Sequence, residues 1–312
     1  MANAVQVQQP AFEFVCDSGD RSAWLDARRS GIGASDMACL LGHTRWASPL
    51  SLYAEKVGAV EPEDKEQEFV RWGNILEPVI AEEFAFRTGR HIDRGGKLLR
   101  SLEHPWALCT LDYWTWGDGV SLRPLEIKNA TEWKAEDWAD GPPEAYLIQA
   151  AQQMLVCGTN HCTVAALIGG NRLVWCDIER DERLIRQIIF AGETFWERVQ
   201  RCTPPEPDGS DASTRLLRRL YPEDDGSAIE LPMDLADDVE EWRRLKAEAK
   251  AIDATVKGIE NRLKAALGDA SEGHFPSGDR VTYRSQTMPE RVLPATSFRV
   301  MRYQPSKAAK GR

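Results

Sequence analysis

The sequence lacks the features that identify several common protein classes. No apolar run approaches the roughly 18 residues of a membrane span, and no charged segment precedes an apolar one at the start, so we expect neither a membrane helix nor a signal peptide. The Gly-x4-Gly-Lys-Ser/Thr and Gly-x-Ser-x-Gly patterns are absent, which argues against P-loop ATPases and serine hydrolases. The five histidines do not have the spacing of zinc ligands.

Paired cysteines are also missing. The chain has seven cysteines, an odd number, and none of them forms a CxxC pair. A chain of 312 residues can build a core without disulfides, so we expect reduced thiols and a cytoplasmic location. The residues concerned are Cys16, Cys39, Cys109, Cys157, Cys162, Cys176 and Cys202.

The charge is acidic and unevenly distributed. A net charge of −10 excludes a protein that coats nucleic acid through bulk attraction, although it is compatible with a local basic site. Residues 1–200 contain 20 basic and 30 acidic residues, whereas residues 201–312 contain 19 of each. We therefore expect the two parts to have different roles.

The order of the patterns predicts an α+β domain, a linker and a helical extension. Residues 1–201 follow the order ααα-βββ-αα-ββ-α, which indicates a central mixed sheet flanked by helices. The patterns within this order predict a helix from about Lys65 to Thr88, which Pro78 would kink or divide, and a short helix over 131–138. They also predict single strands over 92–100 and 106–116. Residues 202–233 begin with a segment rich in Pro, Asp and Gly and predict a linker. Residues 234–312 predict a long helix, short strands over 275–300 and a basic tail from residue 306.

The long helix of the extension carries an apolar seam with coiled-coil spacing. Packing on its own domain and coiling with another copy or a partner both agree with this pattern. The seam consists of Leu235, Val239, Trp242, Leu245, Ala249, Ile252, Val256, Ile259, Leu263 and Ala266.

A predicted hairpin places two carboxylates opposite each other. Asp112 and Glu126 are each seven residues from Gly119, so a turn centred there makes them cross-strand neighbours. Lys128 shares the face of Glu126, whereas Ile127 points into the core. Two close carboxylates suit Mg²⁺ or Mn²⁺, and the backbone carbonyl of Ile127 could add a ligand. Lys128 would then stand beside a water nucleophile and the phosphate that it attacks.

Five ordered sequence blocks resemble the lambda exonuclease and YqaJ-type viral recombinase family, within the PD-(D/E)xK nucleases. One departure is Leu111, which stands where the motif name expects Pro. The blocks are Trp24-x3-Arg28 with segment 31–36, Trp72-Gly-Asn-x2-Glu77-Pro, Leu111-Asp112-Tyr, Leu125-Glu126-Ile-Lys128-Asn and Tyr146-x2-Gln149-x3-Gln153-Met154.

The resemblance implies a restriction-endonuclease-like core and further site residues. Glu77 would complete the metal site, and Gln149 would position Lys128 or the scissile phosphate, whereas Gln153 is expected to make only a packing contact. Arg28 and Ser35 would bind the terminal 5′-phosphate of DNA. That role suits their chemistry, because we expect Ser35 and Asp36 to cap a short helix whose start favours anions, and arginine makes charge-assisted contacts.

The activity that the resemblance implies is Mg²⁺-dependent 5′-to-3′ digestion of linear double-stranded DNA, leaving 3′ single strands. It also implies a trimeric ring, a single-strand annealing protein as partner, and a phage or prophage in a bacterial host. Two alternatives remain open. One is a catalytically inactive scaffold that binds DNA ends, and the other is a metal-dependent endonuclease or single-strand nuclease with the same core.

Overall fold

The computed structural model describes residues 11–61, 68–117, 119–290 and 298–304. The chain forms two compact units, and the boundary between them falls after residue 221. Two sequence expectations, a helix start near Lys65 and the basic tail from residue 306, lie outside the described residues.

The described part of the first unit contains two β-sheets. Its strands are β1 (Phe12–Asp17), β2 (Ile32–Gly33), β3 (His91–Arg94), β4 (Lys97–Ser101), β5 (Ala107–Thr110), β6 (Tyr113–Gly117), β7 (Val120–Ala130), β8 (His161–Ile168) and β9 (Arg172–Glu179). The smaller sheet has the order β1-β4-β5-β2, and the larger has the order β3-β6-β7-β8-β9. Both sheets are mixed, because β2 runs parallel to β5 and β7 runs parallel to β8.

Two runs that the sequence predicted as single strands, 92–100 and 106–116, are each divided between the two sheets. The first breaks at Gly95, between β3 and β4, and the second breaks at Asp112, between β5 and β6. The Gly95 N–H donates to the Asp112 carbonyl oxygen at 2.9 Å. A Cβ at Gly95 would clash with the backbone of Leu111, so this close approach requires glycine. Asp112 therefore lies where the chain passes from one sheet to the other.

Helices cover the sheets and fill the space between them. In the first unit they are α1 (Arg21–Arg29), α2 (Ala34–Leu40), α3 (Pro49–Lys56), α4 (Glu68–Thr88), α5 (Glu144–Cys157), α6 (Glu182–Gln200) and α7 (Asp211–Leu220). Helix α4 continues through Pro78, which was expected to kink or divide it. Helix α5 packs against strands of both sheets. The short helix predicted over 131–138 is instead two 3-10 turns.

Helix α7 lies inside the range that the sequence analysis assigned to a linker. It begins at the Ser210 cap, whose hydroxyl oxygen accepts from the Ser213 N–H. Leu216 is buried against α3. Apolar residues on one face of this short segment therefore give it a packed position, and residues up to 221 belong to the first unit. The proline-rich composition before residue 210 hid this helix from the sequence analysis.

The described residues of the second unit form one long helix and a small hairpin. Helix α8 spans Leu235–Leu267, and none of its residues is buried. Strands β10 (Glu272–His274) and β11 (Arg280–Thr282) pair antiparallel. Short strands were expected over 275–300, but the described part of 283–300 has no regular structure. No helix in the described ranges has both the length and the apolar character needed to cross a bilayer.

Candidate active site

The β6–β7 hairpin brings Asp112 beside Glu126. Tyr113 pairs with Leu125, and the two carboxylate residues lie one position further on, in the register expected from the sequence. The Ile127 N–H donates to Asp112 Oδ2 at 2.8 Å. The side chain of Asp112 is therefore tied to the strand that carries Glu126.

Alternation along β7 separates core side chains from polar ones. Leu125 and Ile127 are buried in a cluster with the apolar face of α4. Glu126 and Lys128 face the other way and contact glutamines of α5. Ile127, whose carbonyl was expected among the metal ligands, thus contributes a core side chain and the N–H that binds Asp112.

Glu126 is almost fully enclosed, and both of its carboxylate oxygens accept hydrogen bonds from α5. Its side chain is 3% exposed. Gln149 Nε2 donates to Oε1 at 2.6 Å, and Gln153 Nε2 donates to Oε2 at 2.5 Å. Gln153 was expected to make only a packing contact, and this expectation was wrong. The two glutamines lie four residues apart, on one face of the helix, and that spacing was the available signal.

Lys128 lies among acidic and aromatic groups. Its ammonium donates to Glu126 Oε1 at 2.5 Å and to Gln149 Oε1 at 3.2 Å. It also lies 4.9 Å from the ring centroid of Tyr146. Burial lowers the pKa of Lys128, but the charges of Glu126 and Asp112 outweigh it and raise that pKa above its usual value. Lys128 is therefore a cation at neutral pH.

Glu77, on α4, lies near Asp112, Glu126 and Lys128, and we call these four residues the carboxylate patch. Ile80 and Ala81, three and four residues later, are buried in a cluster with residues of β7, so this part of α4 lies against the strand that carries Glu126. Burial and the nearby Glu126 raise the pKa of Glu77, while Arg94 and Lys128 oppose the change. Glu77 is thus close enough to the hairpin to interact electrostatically with it.

The donor set fits a divalent cation. Burial raises the pKa of Asp112 well above its usual value, and the charges of Glu126 and Glu77 raise it further. Three carboxylates thus repel one another around a single lysine, and hard oxygen donors of this kind suit Mg²⁺. Among the described residues, no three His, Cys, Asp or Glu side chains already meet as a metal-binding group. The carboxylates of the patch therefore lie near one another without already forming a closed set of metal ligands.

A second polar group forms around Asp36, near the start of α2. One Asp36 oxygen accepts from the Arg28 guanidinium, and the other accepts from Lys56 Nζ at 3.0 Å. Lys56 also donates to the Arg28 carbonyl oxygen at 2.9 Å, and its side chain is 4% exposed. Burial alone would raise the pKa of Asp36, but Arg28 and Lys56 hold it below its usual range. No local signal in the sequence identifies Lys56, which lies 20 residues from Asp36.

Ser35 is exposed and lies inside α2, not at its cap. Gly33 is the cap residue, and its N–H donates to Asp36 Oδ2 at 3.1 Å. Asp36 therefore supplies the hydrogen-bond acceptor at the start of the helix. The expectation that Ser35 also caps this helix was wrong. Arg28 and Ser35 line one cavity of about 380 Å³. The structure thus brings Arg28 and Ser35 together at one cavity, whose lining contains no residue of the carboxylate patch.

Asp36→Asn should lower the free energy of unfolding by about 3 kcal/mol, because it leaves two partly buried cations without their carboxylate. A carboxyl group with a lowered pKa stabilises the fold above its ordinary pKa of 3.8 and loses that effect as the pH falls through its folded-state value. The difference from the wild type should therefore shrink in acid. Urea unfolding across pH measures it, with the exposed Asp26→Asn as the control. Equal stability of the two variants at pH 7 would contradict the account.

The chain matches a family model over part of its length and a known relative over most of it. Residues 23–160 match the model of the YqaJ-like viral recombinase domain. The chain is 32% identical over 258 residues to the uncharacterized protein YqaJ of Bacillus subtilis strain 168. That alignment covers 81% of this chain and 80% of the relative.

A solved structure shares the fold. The alkaline exonuclease LHK-Exo from Laribacter hongkongensis superposes with a TM-score of 0.50 and 21% identity. The match covers 64% of this chain and 100% of LHK-Exo. The predicted α+β, restriction-endonuclease-like core is therefore confirmed as a fold.

Proposed function

The chain belongs to the YqaJ-like viral recombinase family, and from this premise we propose that it is a metal-dependent DNA exonuclease. Family membership and the fold shared with an alkaline exonuclease support a nuclease that acts on DNA. The observation that carries the proposal is the carboxylate patch, formed by Asp112, Glu126 and Glu77 around Lys128.

The residues that would hold the metal are Asp112, Glu126 and Glu77, with the backbone carbonyl of Ile127. We propose Mg²⁺ as the resident ion, with Mn²⁺ able to replace it, because oxygen donors suit both. When bound, such an ion polarises a phosphoryl oxygen and lowers the pKa of water. The raised pKa of Asp112 supports this assignment, since a cation among the carboxylates would favour their ionised forms.

Lys128 would act as a fixed cation beside the scissile phosphate. The raised pKa keeps its ammonium protonated, so it can orient the attacking water and offset negative charge as the phosphodiester is attacked. Gln149 would hold both Lys128 and Glu126, because its amide bonds to each of them. These contacts support a positioning role for Gln149.

The proposed substrate is linear double-stranded DNA, digested from its 5′ ends to leave 3′ single strands. Arg28 and Ser35 would bind the terminal 5′-phosphate in their shared cavity. Several copies, as a trimeric ring, would enclose the duplex, and a single-strand annealing protein would take up the product. A bacterial cytoplasm carrying a phage or prophage is the proposed setting.

Linear and covalently closed circular forms of one plasmid test the reaction class. With Mg²⁺, the protein should degrade the linear form progressively and leave the closed circle intact, because only the linear form has ends. Linearised and circular DNA cut at similar rates would identify an endonuclease. No cutting of either form, together with tight binding to ends, would favour the scaffold alternative.

Gln153→Leu should lower the rate of digestion by about 10-fold to 100-fold, because it removes the donor that fixes Glu126 Oε2. The loss should appear as a higher Mg²⁺ concentration needed for half-maximal rate. The neighbouring Gln152→Leu is the matched control, since Gln152 donates only to backbone oxygens of Ile32 and Leu108. It should lower stability without changing the Mg²⁺ requirement. An unchanged requirement in Gln153→Leu would refute this role for the glutamine.

A further inference from the structure

Helix α7 borders the cavity that contains Arg28 and Ser35, although it lies beyond the part of the chain that matches the family domain. Its position on α3 is well determined by packing. Leu216 is buried against α3. The Ser213 hydroxyl, also buried, donates to the hydroxyl of Ser48, the cap residue of α3, at 2.9 Å.

Two arginines of α7 line this cavity. Arg215 and Arg219 lie four residues apart and therefore share one side of the helix. Arg215 donates to the Trp46 carbonyl oxygen at 3.1 Å, and Arg219 donates to the Glu61 carbonyl oxygen at 2.8 Å. These contacts fix both arginine side chains at the cavity wall. Arg218, on the same helix, is exposed and does not line the cavity.

Among the described residues, positive groups outnumber carboxylates at this cavity. Asp36 and Glu55 are the acidic residues of its lining, which also contains Arg28 and the two arginines of α7. The buried Lys56 adds a fourth cation, because its ammonium bonds to Asp36. Asp36 is already matched by Arg28 and Lys56, so Glu55 is the other carboxylate of the described lining. In an acidic protein, this local excess points to an anionic ligand.

We propose that Arg215 and Arg219 complete, with Arg28, a site for the phosphomonoester at the 5′ end of a DNA strand. The inference rests on the proposed exonuclease function and adds α7 as a specificity-determining element. A terminal phosphomonoester carries more negative charge than an internal phosphodiester and offers more free oxygens. Several guanidinium groups around one small cavity therefore favour a strand end over the middle of a strand.

The test compares two linear duplexes that differ only in a 5′-phosphate or a 5′-hydroxyl. The full-length wild type should digest the phosphorylated duplex at least about tenfold faster at low DNA concentration. The double variant Arg215→Gln, Arg219→Gln should reduce this ratio by about tenfold, while its rate on the 5′-hydroxyl duplex stays near that of the wild type. The double change to Lys, which keeps both charges, should retain part of the ratio, and Arg218→Gln should retain all of it.

Each other outcome overturns the inference in a distinguishable way. An unchanged ratio in a folded Gln variant refutes the role of α7 while leaving the exonuclease function intact. If the Gln variant loses rate equally on both duplexes, the two arginines contact the internal phosphates of DNA and not its 5′ end. A wild type that digests neither duplex removes the proposed function together with the inference. Thermal unfolding checks the fold of every variant, and if the Gln variant does not fold, a Lys variant without any phosphate preference also refutes the inference.

Discussion

Lys128→Ala is expected to reduce DNA digestion by at least about 100-fold, because it removes the cation proposed to orient the water and to offset charge on the phosphate. The ammonium is surrounded by Glu126, Gln149 and Tyr146, so no other group among these contacts can supply its charge. Initial rates on end-labelled linear duplex measure the effect. Binding of the same duplex in EDTA should remain within a few-fold of the wild type.

The matched control for this variant is Lys134→Ala. Lys134 follows β7 closely in the chain. Its side chain is 56% exposed and forms a surface ion pair with Asp137 at 4.0 Å. Its replacement should leave the rate nearly unchanged. If both lysine variants keep wild-type rates, Lys128 is not part of the reaction. If Lys128→Ala also loses DNA binding, its contribution is to substrate affinity and not to the chemical step.

Asp112→Asn is expected to abolish digestion and, in EDTA, to stabilise the fold. Burial and Glu126 raise the pKa of Asp112, so its ionised form costs more in the folded state than in the unfolded chain. That stability cost is absent below the ordinary pKa of 3.8 and develops as the pH rises through the raised folded-state value. Asparagine cannot ionise, and its oxygen can still accept from the Ile127 N–H. The variant should therefore melt at a higher temperature than the wild type at pH 7.

Addition of Mg²⁺ should reverse this order. A cation that binds the folded protein stabilises it by mass action, so the wild type should gain thermal stability and Asp112→Asn should gain little. The exposed Asp93→Asn, on β3, is the control and should respond to Mg²⁺ as the wild type does. A wild type whose melting temperature is insensitive to Mg²⁺ would contradict the assignment of the carboxylates to a metal site.

The hairpin shows what the sequence could predict. Equal spacing of Asp112 and Glu126 about Gly119 gave the register, and alternation along β7 gave the face of Lys128. Both depend on local geometry, so they can be derived without the rest of the chain. The division of 92–100 and 106–116 between two sheets could not be derived in this way. It involves the backbone hydrogen bond from Gly95 to Asp112, which joins residues that are distant in the sequence.

The hydrogen-bond partners of the site residues were harder to predict from the sequence. Gln153 was predicted to make only a packing contact, since an amide on an apolar helix face has no local feature that identifies its acceptor, yet it bonds to Glu126 from 27 positions away. Lys56 and Asp36 are separated by 20 residues, and only the packing of α3 beside α1 and α2 joins them. Helix α7 was hidden by the proline-rich segment before it.

The measurement that tests the central claim most directly is digestion of a linear duplex labelled at either the 5′ or the 3′ end, with Mg²⁺ or with EDTA. The account predicts that Mg²⁺ releases the 5′ label early as short products, retains the 3′ label on long strands, and leaves 3′ single strands. EDTA should prevent all digestion. Tight binding to DNA ends that does not require metal, without release of either label, would contradict the account and identify the protein as an end-binding scaffold.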